Sequence, residues 1–127
     1  MKLNEITETI IGASFEVYNV LGYGFVEKVY ERALAIELEL RGVKFKRQHQ
    51  LGVEYKGRKA GIFTADFVVE GAVIVELKAV SEIHEEHVRQ CINYLKGGGR
   101  KLGLVVNFGP CRVDTRRVIN CDAGELD

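Results

Sequence analysis

The sequence predicts a mixed α/β (α+β) fold in which helices flank a mixed β-sheet, with elements in the order ααβββ(β)αββ. Three observations support this class. Residues 4–40 carry apolar side chains at helical spacing, residues 43–80 alternate as strands do, and a third helical segment precedes two further strand-like runs. The 127 residues are 46% hydrophobic and show no repeat or linker, so we expect one domain, 1–127, with a frayed tail at about 121–127.

Two helices are predicted before any strand. The first covers residues 4–20 with Asn4 as its N-cap, and the second follows a glycine-punctuated turn and ends at Gly42. Each has one apolar stripe that we expect to face the core. The stripes consist of Ile6, Ile10, Ala13, Val17 and Leu21 in the first helix, and of Val26, Val29, Ala33, Ile36 and Leu40 in the second.

A meander of antiparallel strands is predicted from residue 43 to residue 80. β-Branched residues alternate with polar ones there, and Lys56-Gly57 and Glu70-Gly71 are turn sequences. The predicted strands are 43–48, 51–55, 59–69 and 72–80.

A third helix is predicted over residues 82–96. Ser81 is its expected N-cap, glutamates fill the first turn, and three glycines at 97–99 are expected to end it. The helix is long enough to be a crossover between parallel strands. Residues 101–108 are nearly all apolar, which predicts a strand inside the sheet, whereas residues 112–119 alternate like an edge strand.

Charge does not identify a function. The chain has 18 basic and 18 acidic residues, whereas a dedicated nucleic-acid binder usually has a basic excess. Small basic bunches occur at 44–47, 56–59, 100–101 and 112–117. Basic clusters of this size are usually just the solvated part of a protein surface. Their alternative role is salt-sensitive contact with the phosphate backbone of a nucleic acid.

The cysteines and the hydropathy pattern exclude other classes. Three cysteines without CxxC spacing indicate neither a disulfide framework nor a zinc ribbon, so we expect reduced thiols, with Cys91 packed in a helix. No apolar stretch approaches the roughly 20 residues that span a bilayer, and the N-terminus lacks the layout of a signal peptide. A soluble, cytoplasmic protein without a membrane partner is therefore expected.

Charged side chains interrupt the apolar segment 65–80, ADFVVEGAVIVELKAV. Glu76 and Lys78 are two residues apart on one strand, so they project from the same face. Asp66 joins them only if strand pairing places it opposite Glu76, and the midpoint of that pair is Gly71. This predicts an odd-numbered turn, such as a three-residue turn with Gly71 at positive φ, because a two-residue turn would put Asp66 on the other face.

Two interpretations of these charges remain open at this point. Buried charges are costly unless they are paired or bound to a cation. A bare acid-x-lysine pattern favours a half-exposed ion-paired face, since the pattern often occurs by chance. The alternative is that two carboxylates and the intervening backbone carbonyl hold a hard divalent cation, Mg²⁺ or Mn²⁺, with Lys78 beside a bound water.

Four motifs resemble those of the GxxExxY protein family, assigned to the PD-(D/E)XK nuclease superfamily. Residues 24–30, GFVEKVY, fit the GxxExxY signature, and Asp66 with Glu76-Leu77-Lys78 fits the superfamily's metal motif. Residues 90–94, QCINY, look like the QxxxY motif of the RecB-like nuclease branch, and residues 101–109, KLGLVVNFG, resemble the strand that follows it. The resemblance runs from about residue 5 to residue 120, and its specificity lies in the order and spacing of the four motifs.

The resemblance implies a restriction-endonuclease-like fold and Mg²⁺- or Mn²⁺-dependent hydrolysis of phosphodiester bonds in nucleic acid, with DNA favoured over RNA. It also implies a homodimer as one form of the protein. The implied catalytic residues are Asp66, Glu76 and Lys78. The implied metal ligands are Asp66, Glu76, the Leu77 backbone carbonyl and Glu27, the last directly or through water. The implied supporting or substrate-contacting residues are Gln90, Tyr94 and Tyr30.

Ordinary structural roles compete with these assignments. Glu27 is also the kind of residue that the helix dipole favours in a first turn. His87 is more often a partly buried polar residue than a ligand, so it is left out of the metal set. For the whole chain, the alternatives to a nuclease are a catalytically inactive module of the same fold that binds nucleic acid or protein, and an unrelated α/β protein with surface ion pairs.

Overall fold

The computed structural model describes residues 1–123, which form three helices and five strands. In chain order the elements are α1 (Leu3–Leu21), α2 (Glu27–Leu40), β1 (Phe45–Tyr55), β2 (Arg58–Val69), β3 (Val73–Lys78), α3 (Glu85–Gly98), β4 (Leu102–Phe108), β5 (Val113–Ile119) and a 3₁₀ turn at Cys121–Ala123. Within the predicted frayed tail of about 121–127, residues 121–123 form this 3₁₀ turn, and residues 124–127 lie outside the described residues. No helix within residues 1–123 is long and apolar enough to cross a membrane.

The five strands form one mixed sheet in the order β1-β2-β3-β4-β5. All neighbouring pairs are antiparallel except β3 and β4, which run parallel and are connected by α3. Every residue of β4 is buried, and β5 is an edge strand. These features confirm the predicted fold class and the crossover role of the third helix.

The sheet is covered on both faces. One core cluster joins α1 and α2 to the sheet through side chains such as Ile10, Leu38 and Phe67. The other joins α3 to the opposite face through residues such as Cys91 and Leu95. The site described below lies where β2 and β3 separate, beyond the last pair of their ladder at Phe67 and Val75.

Strand β1 is continuous, although the sequence predicts two strands separated after residue 48. The break in alternation is real, because Phe45 packs against the cluster of α1 and α2, whereas Leu51 belongs to the cluster of α3. Two odd-numbered residues of a regular strand would share one face. The reversal occurs at Gln48, whose φ of 48° is left-handed, so the chain changes face without leaving the sheet.

Helix ends differ from their predicted caps. α1 begins at Leu3 with Lys2 at the N-cap position, so Asn4 lies inside the helix. The N-cap of α3 is His84, three residues after the predicted Ser81, because His84 and His87 form a reciprocal capping box. Of the three glycines expected to end α3, the first two are helical, and Gly99 ends the helix in the left-handed conformation.

The core-facing side of α2 is also different from the prediction. Ile36 and Leu40 are 59% and 76% exposed, and Val26 is exposed as well. The buried residues are Tyr30, Glu31, Leu34, Ala35 and Leu38. The helix carries two apolar stripes, and the stacking of Tyr30 on Phe108, with ring centroids 4.4 Å apart, selects the stripe that faces the sheet.

Candidate active site

The turn between β2 and β3 has an odd number of residues, which is the condition for bringing Asp66 and Glu76 together. Val69 pairs with Val73, which leaves a three-residue turn of residues 70–72. Gly71 has φ 66° and Glu70 has φ 53°. Glu70 is held there by Lys44, whose N–H donates to the Glu70 carboxylate at 2.7 Å and whose carbonyl accepts the Glu70 N–H at 2.8 Å. The register set by this turn places Asp66 opposite Glu76, as predicted.

The two carboxylates occupy the gap where β2 and β3 separate. The ladder between these strands contains three pairs and ends at Phe67 and Val75. Beyond it, the Asp66 N–H donates to Glu76 Oε1 at 3.0 Å, and the Leu77 N–H donates to Asp66 Oδ2 at 2.8 Å. Each acid therefore takes a main-chain donor of the opposite strand, which fixes both carboxylates side by side.

Burial makes this pair electrostatically costly. Glu76 is only 5% exposed, and burial, followed by repulsion from Asp66, raises its pKa to about 8. Burial also raises the pKa of Asp66, against the opposing effect of the Leu77 N–H. The pKa of Glu27, the first residue of α2, is raised by burial and then by Asp66. All three pKa values are raised. This is the direction expected where several acids lie together without enough positive charge nearby to offset their repulsion.

Lys78 supplies part of that missing charge. Its ammonium lowers the pKa values of the three acids Glu27, Asp66 and Glu76, so it lies within electrostatic reach of each. Lys78 Nζ also donates to Gln90 Oε1 at 3.4 Å. The half-buried lysine thus contacts α3 through Gln90 and acts on the acid pair through space.

Tyr30 lies in the core, next to the turn that precedes Glu27. Its side chain is fully buried; its hydroxyl donates to the Gly22 carbonyl at 2.6 Å and accepts the Phe25 N–H at 3.4 Å. It therefore holds the turn that leads into Glu27. Gly24 has φ 117° in that turn, a conformation that favours glycine.

The residues of α3 divide between the surface and the core. Gln90 is exposed and reaches Lys78, whereas Tyr94 is 8% exposed and packs its ring 5.2 Å from that of Phe63. Burial and then the charge of Glu76 raise the pKa of Tyr94, which places its phenol near the acids. His87 Nδ1 accepts the His84 N–H at 2.9 Å, so His87 acts as a helix cap.

Three polar residues at or behind the site were not identified from the sequence. Glu31 is 4% exposed and bonds to Gln48, which in turn contacts Asp66. Asn107 is fully buried, and its side-chain amide bonds to both the N–H and the carbonyl of Val80, two residues after Lys78. Asn107 is recognisable as the single polar side chain in the apolar run LGLVVNF, and Glu31 as the acid one helical turn after Glu27.

The donor set fits a small hard cation. Mg²⁺ is usually bound by one or two carboxylates, retains several waters and completes its shell with substrate oxygens. Asp66 and Glu76 provide two such carboxylates, and a cation beside them would offset their mutual repulsion, which raises the pKa of Glu76. No group of three or more His, Cys, Asp or Glu side chains within residues 1–123 is arranged to hold a metal, so an ion here would be held mainly by this pair with main-chain and water oxygens, and any contribution of Glu27 would come through water or a change in its position.

Comparisons with known proteins find the same fold. The model of a family described as the PD-(D/E)XK nuclease superfamily matches residues 4–118. The crystal structure of SSO0001 is similar with a TM-score of 0.60 at 15% identity, over 74% of this chain and 50% of that chain. An alkaline exonuclease, LHK-Exo from Laribacter hongkongensis, has a TM-score of 0.55 at 15% identity, with 76% and 57% covered. The chain thus spans about half the length of these structures, and no curated protein matches it in sequence.

Proposed function

The chain belongs to the PD-(D/E)XK nuclease superfamily, and from this premise we propose that it is a divalent-metal-dependent nuclease that hydrolyses phosphodiester bonds of nucleic acid. The observation that carries the proposal is that buried Glu76 and half-buried Asp66 lie together, with Lys78 on the same strand as Glu76. The Asp66 N–H donates to the Glu76 carboxylate, and the Leu77 N–H donates to the Asp66 carboxylate. A purely structural role does not explain two adjacent acids with raised pKa values inside an apolar sheet.

In this proposal Asp66, Glu76 and the Leu77 carbonyl hold Mg²⁺ or Mn²⁺, with Glu27 as a direct or water-mediated ligand. The bound ion supplies activation of a water nucleophile and neutralisation of charge on the phosphoryl oxygens. The chain's own contribution is to hold two carboxylates at fixed positions and to exclude bulk water from one side of the pair. The exchange of main-chain hydrogen bonds supports this role, because it leaves neither carboxylate free to rotate away.

Lys78 is proposed to orient or deprotonate the attacking water and to place a positive charge beside the transition state. Its position two residues after Glu76 puts both side chains on the same face of β3. Gln90 supports Lys78 through the hydrogen bond described above, and Tyr94 closes the site from α3. Tyr30 acts indirectly by holding the turn before Glu27.

The finer assignments belong to the same proposal. The motif at residues 24–30 supports membership of the GxxExxY family, and Gln90 with Tyr94 supports the RecB-like branch. DNA is proposed before RNA as the substrate on the family resemblance alone. Self-association as a homodimer is supported by the apolar side of α2 that faces solvent, where Ile36 and Leu40 are exposed.

The test is cleavage of labelled single- and double-stranded DNA and RNA with Mg²⁺ or Mn²⁺. Wild type is compared with Asp66→Ala and Lys78→Ala, and with Lys2→Ala as a control, because Lys2 is an exposed lysine at the N-cap of α1, makes no side-chain cap hydrogen bond and lies outside the basic groups of the sequence. We expect wild type and Lys2→Ala to cleave at least one substrate. Asp66→Ala and Lys78→Ala should lose about a hundredfold or more of the activity.

A module that binds without cleaving is the second candidate. It is favoured by the finding that no three His, Cys, Asp or Glu side chains in the described part of the chain form a ready metal site. Binding of nucleic acid by wild type without cleavage under any metal condition would support this function over the nuclease. Cleavage that survives in both Asp66→Ala and Lys78→Ala would place the activity elsewhere and overturn the proposed site.

A further inference from the structure

Gln48 joins two carboxylates that lie on different elements. Its amide Nε2 donates to Glu31 Oε1 on α2 at 2.8 Å and to Asp66 Oδ1 on β2 at 3.3 Å. Ionised carboxylates only accept hydrogen bonds, so the amide nitrogen, with its two hydrogens, is the group that can lie between them. The side chain of Gln48 therefore links α2 to the acid pair.

Glu31 is the anchor of this link. It is 4% exposed, and its second oxygen, Oε2, accepts from Arg47 Nη2 at 2.8 Å and lies 3.5 Å from Lys28 Nζ. A buried carboxylate with two cationic partners and an amide donor has little freedom to move. The position of Gln48 is therefore set from α2, independently of Asp66.

The backbone at Gln48 has an unfavourable conformation. Its φ of 48° lies in the left-handed region, which is unfavourable for most residues other than glycine, asparagine and aspartate. The conformation changes the face to which the β1 side chains point, although the strand continues from Phe45 to Tyr55. It also places the Gln48 amide between Glu31 and Asp66, within hydrogen-bond distance of both.

We propose that Glu31 and Gln48 are positioning residues of the metal site: the link from α2 through the strained Gln48 fixes the rotamer of Asp66 so that its carboxylate is ready to bind the ion. This inference deepens the proposed function and rests on it. Neither residue touches the ion or the substrate. Their effect is on the affinity of the site for a divalent cation, which can be measured without catalysis.

At position 48 the backbone conformation favours glycine, whereas the hydrogen bonds to Glu31 and Asp66 require a side-chain amide. Glycine relieves a positive φ, so Gln48→Gly should unfold at a temperature equal to or above that of wild type. The same substitution removes the amide, so the affinity for Mn²⁺ should fall about tenfold or more, as is typical when an outer partner of a metal ligand is lost. Mn²⁺ binding is measured by titration calorimetry, and only binding that Asp66→Ala abolishes is counted.

Lys56 provides a matched control. It has φ 50° in the β1–β2 hairpin, eight residues from Gln48, which corresponds to roughly 25 Å along a strand. Lys56→Gly should therefore keep or raise the unfolding temperature and leave Mn²⁺ affinity unchanged. Gln48→Asn is a second test, because asparagine tolerates this backbone region but its shorter amide cannot span both carboxylates, so affinity should again fall.

The outcomes separate the two proposals. If wild type binds Mn²⁺ at Asp66 and Gln48→Gly binds it equally well, the positioning role is overturned while the metal site stands. An equal loss of affinity in Lys56→Gly would also overturn it, because the effect would then not be local. If wild type binds no Mn²⁺ that depends on Asp66, the metal-dependent proposal falls and the positioning role falls with it.

Discussion

At the scale of single residues, side chains act as hydrogen-bond partners of the main chain where strands separate. Main-chain groups that no longer reach the neighbouring strand bond to a side chain instead. Asp66 and Glu76 do this between β2 and β3. Asn107 does it at the end of β3, where its amide donates to the Val80 carbonyl at 3.0 Å and accepts the Val80 N–H at 2.9 Å. Removing such a side chain leaves main-chain groups without partners, which costs more than an ordinary surface hydrogen bond.

Asn107→Ala is therefore expected to lower the free energy of unfolding by about 2–4 kcal/mol, since a fully buried side chain and two hydrogen bonds are lost. Urea denaturation measures the change. Asn93→Ala is the control, because Asn93 is exposed on α3 and its loss should cost no more than about 0.5 kcal/mol. Equal losses of unfolding free energy in the two variants would contradict the stabilising role assigned to the hydrogen bonds between Asn107 and Val80.

At the scale of elements, close approach of α3 to the sheet depends on small residues. A Cβ on Gly103 of β4 would lie 2.6 Å from Cys91 Sγ and 3.3 Å from the Ile74 carbonyl oxygen. A Cβ on Gly98 of α3 would lie 2.9 Å from the end of Leu51. The glycines at 97 and 98 thus allow α3 to continue over the sheet, which explains why they do not end the helix as the sequence predicts.

Gly103→Ala should destabilise the protein by about 1–3 kcal/mol, because the added methyl group overlaps the Cys91 thiol in a fully packed layer. Removing the sulfur in Gly103→Ala with Cys91→Ala should recover part of that loss. Urea denaturation of the two single variants and the double variant gives the coupling energy. Strictly additive losses would show that this contact does not limit the approach of α3.

A glycine of β1 provides the control for this cycle. Gly52 has no atom within 4 Å of an added Cβ, and its φ is not positive. Gly52→Ala should therefore leave the free energy of unfolding within about 0.5 kcal/mol of wild type or raise it.

At the scale of the whole molecule, one buried acid couples stability to pH. An ordinary glutamate has a pKa of 4.5, whereas burial raises the pKa of folded Glu76 to about 8. Between these two values the folded state keeps a proton that the unfolded chain has released. The free energy of unfolding contributed by Glu76 therefore falls as pH rises through this window and becomes constant above it.

We expect Glu76→Gln to lack this dependence and to melt at a higher temperature than wild type above pH 8 in the presence of EDTA, by about 5 °C. Added Mg²⁺ should raise the melting temperature of wild type most at the alkaline end, where the carboxylate is ionised, and should not affect Glu76→Gln in this way. Thermal melts from about pH 5 to about pH 9 test both statements. The same Mg²⁺ effect at both ends, or the same slope in the variant, would contradict them.

Much of the fold follows from local patterns in the sequence. Period-2 alternation and turn residues predict the strands and the β2–β3 register, and the apolar run at 101–108 predicts a central strand. The errors lie at helix caps, in β1, which the sequence predicts as two strands, and on α2, where two apolar stripes satisfy the helical period equally well. Contacts with distant parts of the chain, such as the stacking of Tyr30 on Phe108, decide which stripe of α2 is buried.

The sequence by itself determines that Glu76 and Lys78 share one face of a strand, because they are two residues apart. It adds Asp66 to that face only on the condition that the turn at Gly71 has an odd number of residues. The tertiary structure alone decides what surrounds them. Glu31 and Gln48 are 17 residues apart, and Gln48 and Asp66 are 18 apart, so no local period relates them. They meet because α2 packs on the sheet through its buried stripe, and that packing depends on the shape and volume of the whole core.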